Sequence, residues 1–166
     1  MLRLLGVIMI FSAFSWAGFS FSTSIRRKIA RLETEKKLTD DISTLIRYRS
    51  LTLREIISQI AESPGYAETE FIEYASSADR YIPFAESWKS GIEKDRTLSN
   101  TERDILEKMG YELGTTDAEG QMAVLNIYRN QFEEMLSAEK TKYETKGKMY
   151  RSLGVLFGAM AGILFI

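Results

Sequence analysis

Two uncharged apolar runs bound what this chain can fold into. Leu4 to Phe21 is 18 residues without a charged side chain. As a helix it reaches about 27 Å, against a hydrocarbon core of about 30 Å. Ser152 to Ile166 is uncharged as well. That run reaches about 22 Å, or about 27 Å if it starts at Met149 and Arg151 extends its stem toward the headgroups. A soluble domain gains little from such a tail, so the reading is an N-terminal and a C-terminal transmembrane helix, side by side as a hairpin. The competing reading of the first run is a cleaved secretory signal, because Ser15-Trp16-Ala17 puts small residues at a cleavage-like position. The only charge ahead of that run is Arg3, which is weak for a signal, and a retained anchor is expected.

The charge pattern orients the two runs. The formal net charge of −1 hides two basic collars: Arg26, Arg27, Lys28 and Arg31 after the first run, and Lys140, Lys142, Lys146, Lys148 and Arg151 before the last. Between them, residues 32–139 carry 12 basic and 22 acidic side chains, a charge of −10. Lysine and arginine beside a span favour the cytoplasmic side. Both collars therefore place residues of roughly 25–150 inside and both termini outside, the chain ending where the far face of the membrane is reached. The divisions expected are 1–24 as the first span, 25–148 as a cytoplasmic helical domain and 149–166 as the second span. Gly154, Gly158 and Gly162 fall on one helical face, and smooth faces let lipid-embedded helices pack closely. Whether they pack on the chain's own first span, where Ala13 and Ala17 supply small residues, or on another copy in self-association stays open.

The stretch between the runs reads as all-α, an antiparallel bundle of about six helices. Period-two strand patterns are not evident. Thr52 with Glu55, Ser99 with Glu102, and Thr116 with Glu119 each set a hydroxyl three residues before a glutamate, the spacing of a capping box. The first helix is expected to run from the membrane to about Arg49. Others are expected over about 52–62, 66–78, from Pro83 through Trp88 and Ile92, and over 100–113. Gly114 suits the position just past a helix end. The last helix is expected to start near Asp117 and enter the membrane without a breaker, about 75 Å in all.

Several chemistries are excluded. There is no cysteine, hence no disulfide or thiolate, and no histidine. No phosphate loop, dinucleotide fingerprint, zinc motif or nucleophile elbow appears. Adjacent carboxylates such as Asp40-Asp41 and Glu133-Glu134 point in different directions on a helix and form no acid–base dyad. No catalytic residue, metal ligand or cofactor is expected. The acidic middle opposes phosphate contact, so no nucleic acid is expected either. The acidic faces are read as solvated surface or as a docking face for a cationic partner, and the collars as able to hold anionic headgroups. The turn before the last helix carries the candidate partner contacts Glu112, Asp117, Glu119 and Gln121. Thr116, Asp117 and Glu119 also have a purely local use, capping the helix or opposing its positive dipole end.

Three stretches together resemble the stage III sporulation protein AB family of endospore-forming bacteria: "MLRLLGVIMIFSAFSWAGF", "EKMGYELGTTDAEGQ" and "KGKMYRSLGVLFGAMAGILFI". The segment with Gly110, Gly114, Asp117 and Gln121 and the closing "YRSLGVL" are the most specific parts. Where the family often has proline after the threonine that opens the second helix, Leu53 follows Thr52. The resemblance implies a non-enzymatic membrane platform subunit of the channel joining mother cell and engulfed forespore. It implies a cytoplasmic domain similar to the F-type platforms of type II secretion. The implied place is the mother-cell side, in the outer forespore membrane. The implied partners are the membrane, other sporulation-channel subunits and a cytoplasmic hexameric ATPase that does the ATP chemistry. A membrane-anchored sensor or signalling adaptor is the alternative; it would be expected to expose a substantial domain outside.

Overall fold

The computed structural model describes residues 2–49 and 51–147 together with Met149, Ser152, Leu156 and Met160. Most side chains of the two apolar runs, and Gly154, Gly158 and Gly162, lie outside the described residues. Among the described residues no helix is long and apolar enough to cross a membrane. Among them too the fold is all-α, with six helices and no strand: α1 (Leu2–Tyr48), α2 (Leu53–Ala61), α3 (Glu70–Ser76), α4 (Phe84–Lys94), α5 (Asn100–Glu112) and α6 (Ala118–Lys142). The chain divides into two compact units, one of Met1–Glu33 with Glu134–Ile166, the other of Thr34–Glu133.

Local chemistry sets the helix ends of the larger unit. Two of the expected capping boxes form. The Thr52 N–H donates to Glu55 Oε2 at 2.8 Å and the Glu55 N–H returns to Thr52 Oγ1 at 3.3 Å. Ser99 and Glu102 repeat the exchange at 2.6 and 3.4 Å. Each such cap is worth about 1 kcal/mol. The third helix is shorter than the 66–78 expected: Pro64–Tyr66 forms a separate 3₁₀ turn, and α3 starts only at Glu70. Thr69 gives α3 no side-chain cap. Asp95, buried between α4 and α5, substitutes from a distance: its Oδ2 accepts the Phe71 N–H at 3.3 Å. Pro83 stands one residue before α4, its carbonyl accepting from Glu86 and Ser87 at 3.1 Å each.

The core of this unit closes around Trp88. Its indole is fully buried, meets Phe71 edge-on at 5.3 Å and lies 5.6 Å from Phe84. Its N–H donates to the Leu106 carbonyl at 2.7 Å. The indole can reach α5 only because residue 110 lacks a side chain: a Cβ on Gly110 would lie 2.1 Å from Trp88 Cδ1. Gly91 serves α3 and α4 likewise, a Cβ there falling 2.4 Å from the Phe71 carbonyl oxygen. Leu38, Ile42, Ile56, Ile57, Ile72, Ile92, Leu106, Met109 and Phe132 complete the core.

Here α1 and α6 run antiparallel, as their polar partners show. Asp40 meets Arg129 at 2.8 Å, Lys36 pairs with Glu133, and Arg47 Nε lies 3.4 Å from Met122 Sδ. In the smaller unit, Lys28 meets Glu139 at 2.7 Å, Glu33 meets Lys140 at 2.8 Å, and Arg26 Nε donates to Tyr143 Oη at 2.7 Å. Ile25, Leu32 and Leu136 are buried in that unit beside Glu139. Burial would raise the Glu139 carboxyl, but hydrogen bonds and charge from Lys28 and Lys142 outweigh it and hold the group below its ordinary value. The last helix changes pitch where a uniform helix was expected: α6 passes at Tyr143–Gly147 into a π-helical turn. Arg26 lies over the Tyr143 ring at 5.4 Å as well as bonding its hydroxyl, so the turn starts at an anchored residue.

Two outcomes follow. Gly110→Ala gains about 1 kcal/mol of helix propensity but forces the buried indole aside, at about 1–3 kcal/mol. With so close an approach, the upper part of that cost applies. The variant should melt several degrees lower, with shifted tryptophan emission; an unchanged Tm would show that the indole has room to move. The second concerns Glu139, whose folded-state pKa is depressed. Its contribution is present above the ordinary value of 4.5 and is lost as pH falls through the lower folded value. Thermal melts from pH 6 downward should show the loss beginning near pH 4.5, and Glu139→Gln should flatten that limb.

Candidate partner-docking face

The turn between α5 and α6 is built from three local devices. Leu113 is extended at φ −65°, ψ 134°, and Gly114 has φ +82°. With the Thr115 N–H donating to the Glu112 carbonyl at 3.4 Å, this is a type II turn. Its third position requires positive φ, which glycine supplies without strain. Gly114 thus stands past the helix end as expected, though by a turn rather than by continuing α-type bonds.

The cap of α6 is Asp117, not the Thr116–Glu119 box expected from spacing. Asp117 Oδ1 accepts the Gly120 N–H at 2.9 Å, and its carbonyl accepts the Gln121 N–H at 2.9 Å. A carboxylate outcompetes a hydroxyl here because it also opposes the positive end of the helix dipole. Gln121 closes the turn from the other side, its Nε2 donating to the Thr116 carbonyl at 3.1 Å. Its Oε1 is buried and accepts no hydrogen bond.

The four expected contact residues therefore share one turn but differ in availability. Glu112 faces the Tyr128 hydroxyl; burial, then the hydrogen bond and charge of Glu112, push that hydroxyl up to about 12. Asp117 is committed to the cap and Gln121 to the turn. Glu119 is exposed and makes no hydrogen bond or ion pair.

Beside this turn lies a hollow of about 620 Å³. Gly114, Ala118 and Gln121 form one side; the end of α1 and the start of α2 form the other, with Arg47, Arg49 and Arg54. Leu51, Leu53 and Phe84 supply its apolar surface. Arg54 is held in place, Nη1 and Nη2 donating to the carbonyls of Ala78 and Ile82 at 3.1 and 2.6 Å. A second hollow of about 300 Å³ continues from Arg47 along α1 and α6, past Asp40 and Arg129. These arginines were not legible as a site: counting charge over the whole acidic middle averages them away. The signal available was "RYRSLTLRE", three arginines across a helix junction. Among the described residues no cluster of acidic side chains is arranged to hold a metal ion.

Because Asp117 acts as a cap, Asp117→Ala should cost about 1 kcal/mol whereas Asp117→Asn should be nearly neutral, asparagine capping as well as aspartate. Urea titrations of the two variants separate these outcomes; equal losses would mean that the charge, not the cap, is what stabilises α6.

Comparison with known proteins places the chain. The family model described as stage III sporulation protein AB matches residues 3–166. A curated protein of Bacillus subtilis (strain 168), named stage III sporulation protein AB, is 23% identical over 171 residues, covering 100% of each chain. No solved structure matches. With the match extending over both apolar runs and the helical units alike, the chain belongs to the stage III sporulation protein AB family.

Proposed function

We propose that this protein is a non-enzymatic membrane platform subunit of the channel between mother cell and forespore, holding a cytoplasmic ATPase against the membrane assembly. The observation that carries this reading is the arrangement of a helical region between two basic collars, each beside an uncharged apolar run, in a chain of a sporulation family. A two-pass protein so oriented would sit on the mother-cell side, in the outer forespore membrane, with both termini outside the cytoplasm. Gly154, Gly158 and Gly162 would let the closing span pack closely on a neighbour. ATP chemistry would belong to the partner. The docking face proposed is the α5–α6 turn with its surroundings. Glu119 is the unbonded acidic side chain there that a partner would meet, since Asp117 already caps α6.

Topology and recovery test this together. Reporters that work only outside the cytoplasm should be active when fused after Ile166 and silent when inserted at Ser90. The reverse pattern would put the helical region out of a cytoplasmic ATPase's reach and end the reading. Tagged protein purified from sporulating cells should bring down the ATPase with other channel subunits, and its absence from every preparation would argue for an adaptor instead.

A further inference from the structure

We propose that the arginine-walled hollow beside the α5–α6 turn receives an acidic segment of a protein partner. The inference takes from the platform reading only that this end meets a partner; the chemistry comes from which charges the fold leaves unused.

The acidic groups around the turn are largely occupied. Asp117 caps α6, and Glu55 closes the Thr52 capping box. The arginines are not neutralised in the same way. Arg54 donates to two backbone carbonyls, which fix the guanidinium without cancelling its charge. Arg47 has a thioether sulfur, a weak acceptor. Arg49 is exposed and makes no side-chain hydrogen bond or ion pair. By contrast Arg129 and Lys36 of the same unit each meet a carboxylate. The hollow is thus a basic island in an otherwise acidic region, the inverse of what net charge suggests.

The chemistry of the walls selects the occupant. Guanidinium groups recognise carboxylates through paired, charge-assisted hydrogen bonds. Leu51, Leu53 and Phe84 suit aliphatic side chains between the acids. A polypeptide offers both the carboxylates and the aliphatic side chains; an inorganic anion offers the charge alone. The second hollow, sharing Arg47, extends the path for an elongated segment.

The test uses the full chain in lipid nanodiscs and a fluorescein-labelled hexapeptide of glutamate and leucine. Anisotropy should rise saturably at low salt and less as salt screens the charges. Arg49→Glu should weaken binding about tenfold or more. That side chain is exposed and unbonded, so the fold should survive, which an unchanged Tm verifies. Arg96→Glu, on the loop between α4 and α5, should bind as the parent does. The proposal is overturned if no binding is seen, if Arg49→Glu binds equally well, or if a peptide with lysine in place of glutamate binds as tightly. Displacement by inorganic phosphate at the peptide's own concentration would also overturn it, showing a simple anion site. Peptide binding without ATPase recovery would leave the hollow proposal standing and the platform reading in difficulty; the converse would do the opposite.

Discussion

Everything between the first and last helices turns on one indole fitting against one glycine. Trp88 on α4 bonds the Leu106 carbonyl of α5, lies against Gly110 and meets Phe71 of α3 edge-on. Three short helices of 7, 11 and 13 residues are thereby tied at a single point. None is long enough to be stable alone in water. Their stability comes from burial, and the largest buried side chain sits where they meet. The same contact reaches the hollow, because Phe84 packs beside Trp88 and also lines the cavity. The hollow and the core are therefore joined by one pair of rings.

Charge is used differently in different places. Along α1 and α6 opposite charges are matched residue by residue, which fixes register more than it adds stability, since exposed pairs contribute about 0–1 kcal/mol each. At the helix starts, glutamate and aspartate serve backbone N–H groups. Around the hollow, arginines bond carbonyls, a sulfur or nothing. An acidic stretch of chain can thus carry a local basic surface when its acids are committed to its own backbone, so composition alone predicts local surface charge poorly.

Helix number and most boundaries were legible in the sequence, because caps are local: Thr52 and Ser99 announce α2 and α5 through residues only three positions away. At the start of α6 the spacing rule pointed to Thr116 with Glu119, and of the residues read as able to cap there it is Asp117 that does so; spacing alone could not weigh a carboxylate against a hydroxyl. It failed for α3, where the Phe71 N–H is served by Asp95 from far along the chain, a partner no window of sequence reveals. Gly110 carried no local reading and is a notch for Trp88; that reason is tertiary. For the site, the turn could be read and the hollow could not. Arg47, Arg49 and Arg54 acquire meaning only once α1, α2 and α6 enclose a space.

The π-helical turn at Tyr143–Gly147 carries a consequence of phase. A turn closed by i→i+5 bonds takes up one residue more than an α turn, and one residue is about 100° of rotation about a helix axis. The stripe that buries Leu125, Phe132 and Leu136 on α6 therefore cannot be carried past Gly147 by counting sevens or elevens. Periodicity must be counted afresh on the far side. Chain length in this segment acts as an angular setting: removing one residue there would turn whatever follows by about that angle against the Arg26-anchored Tyr143, without altering a single side chain beyond it.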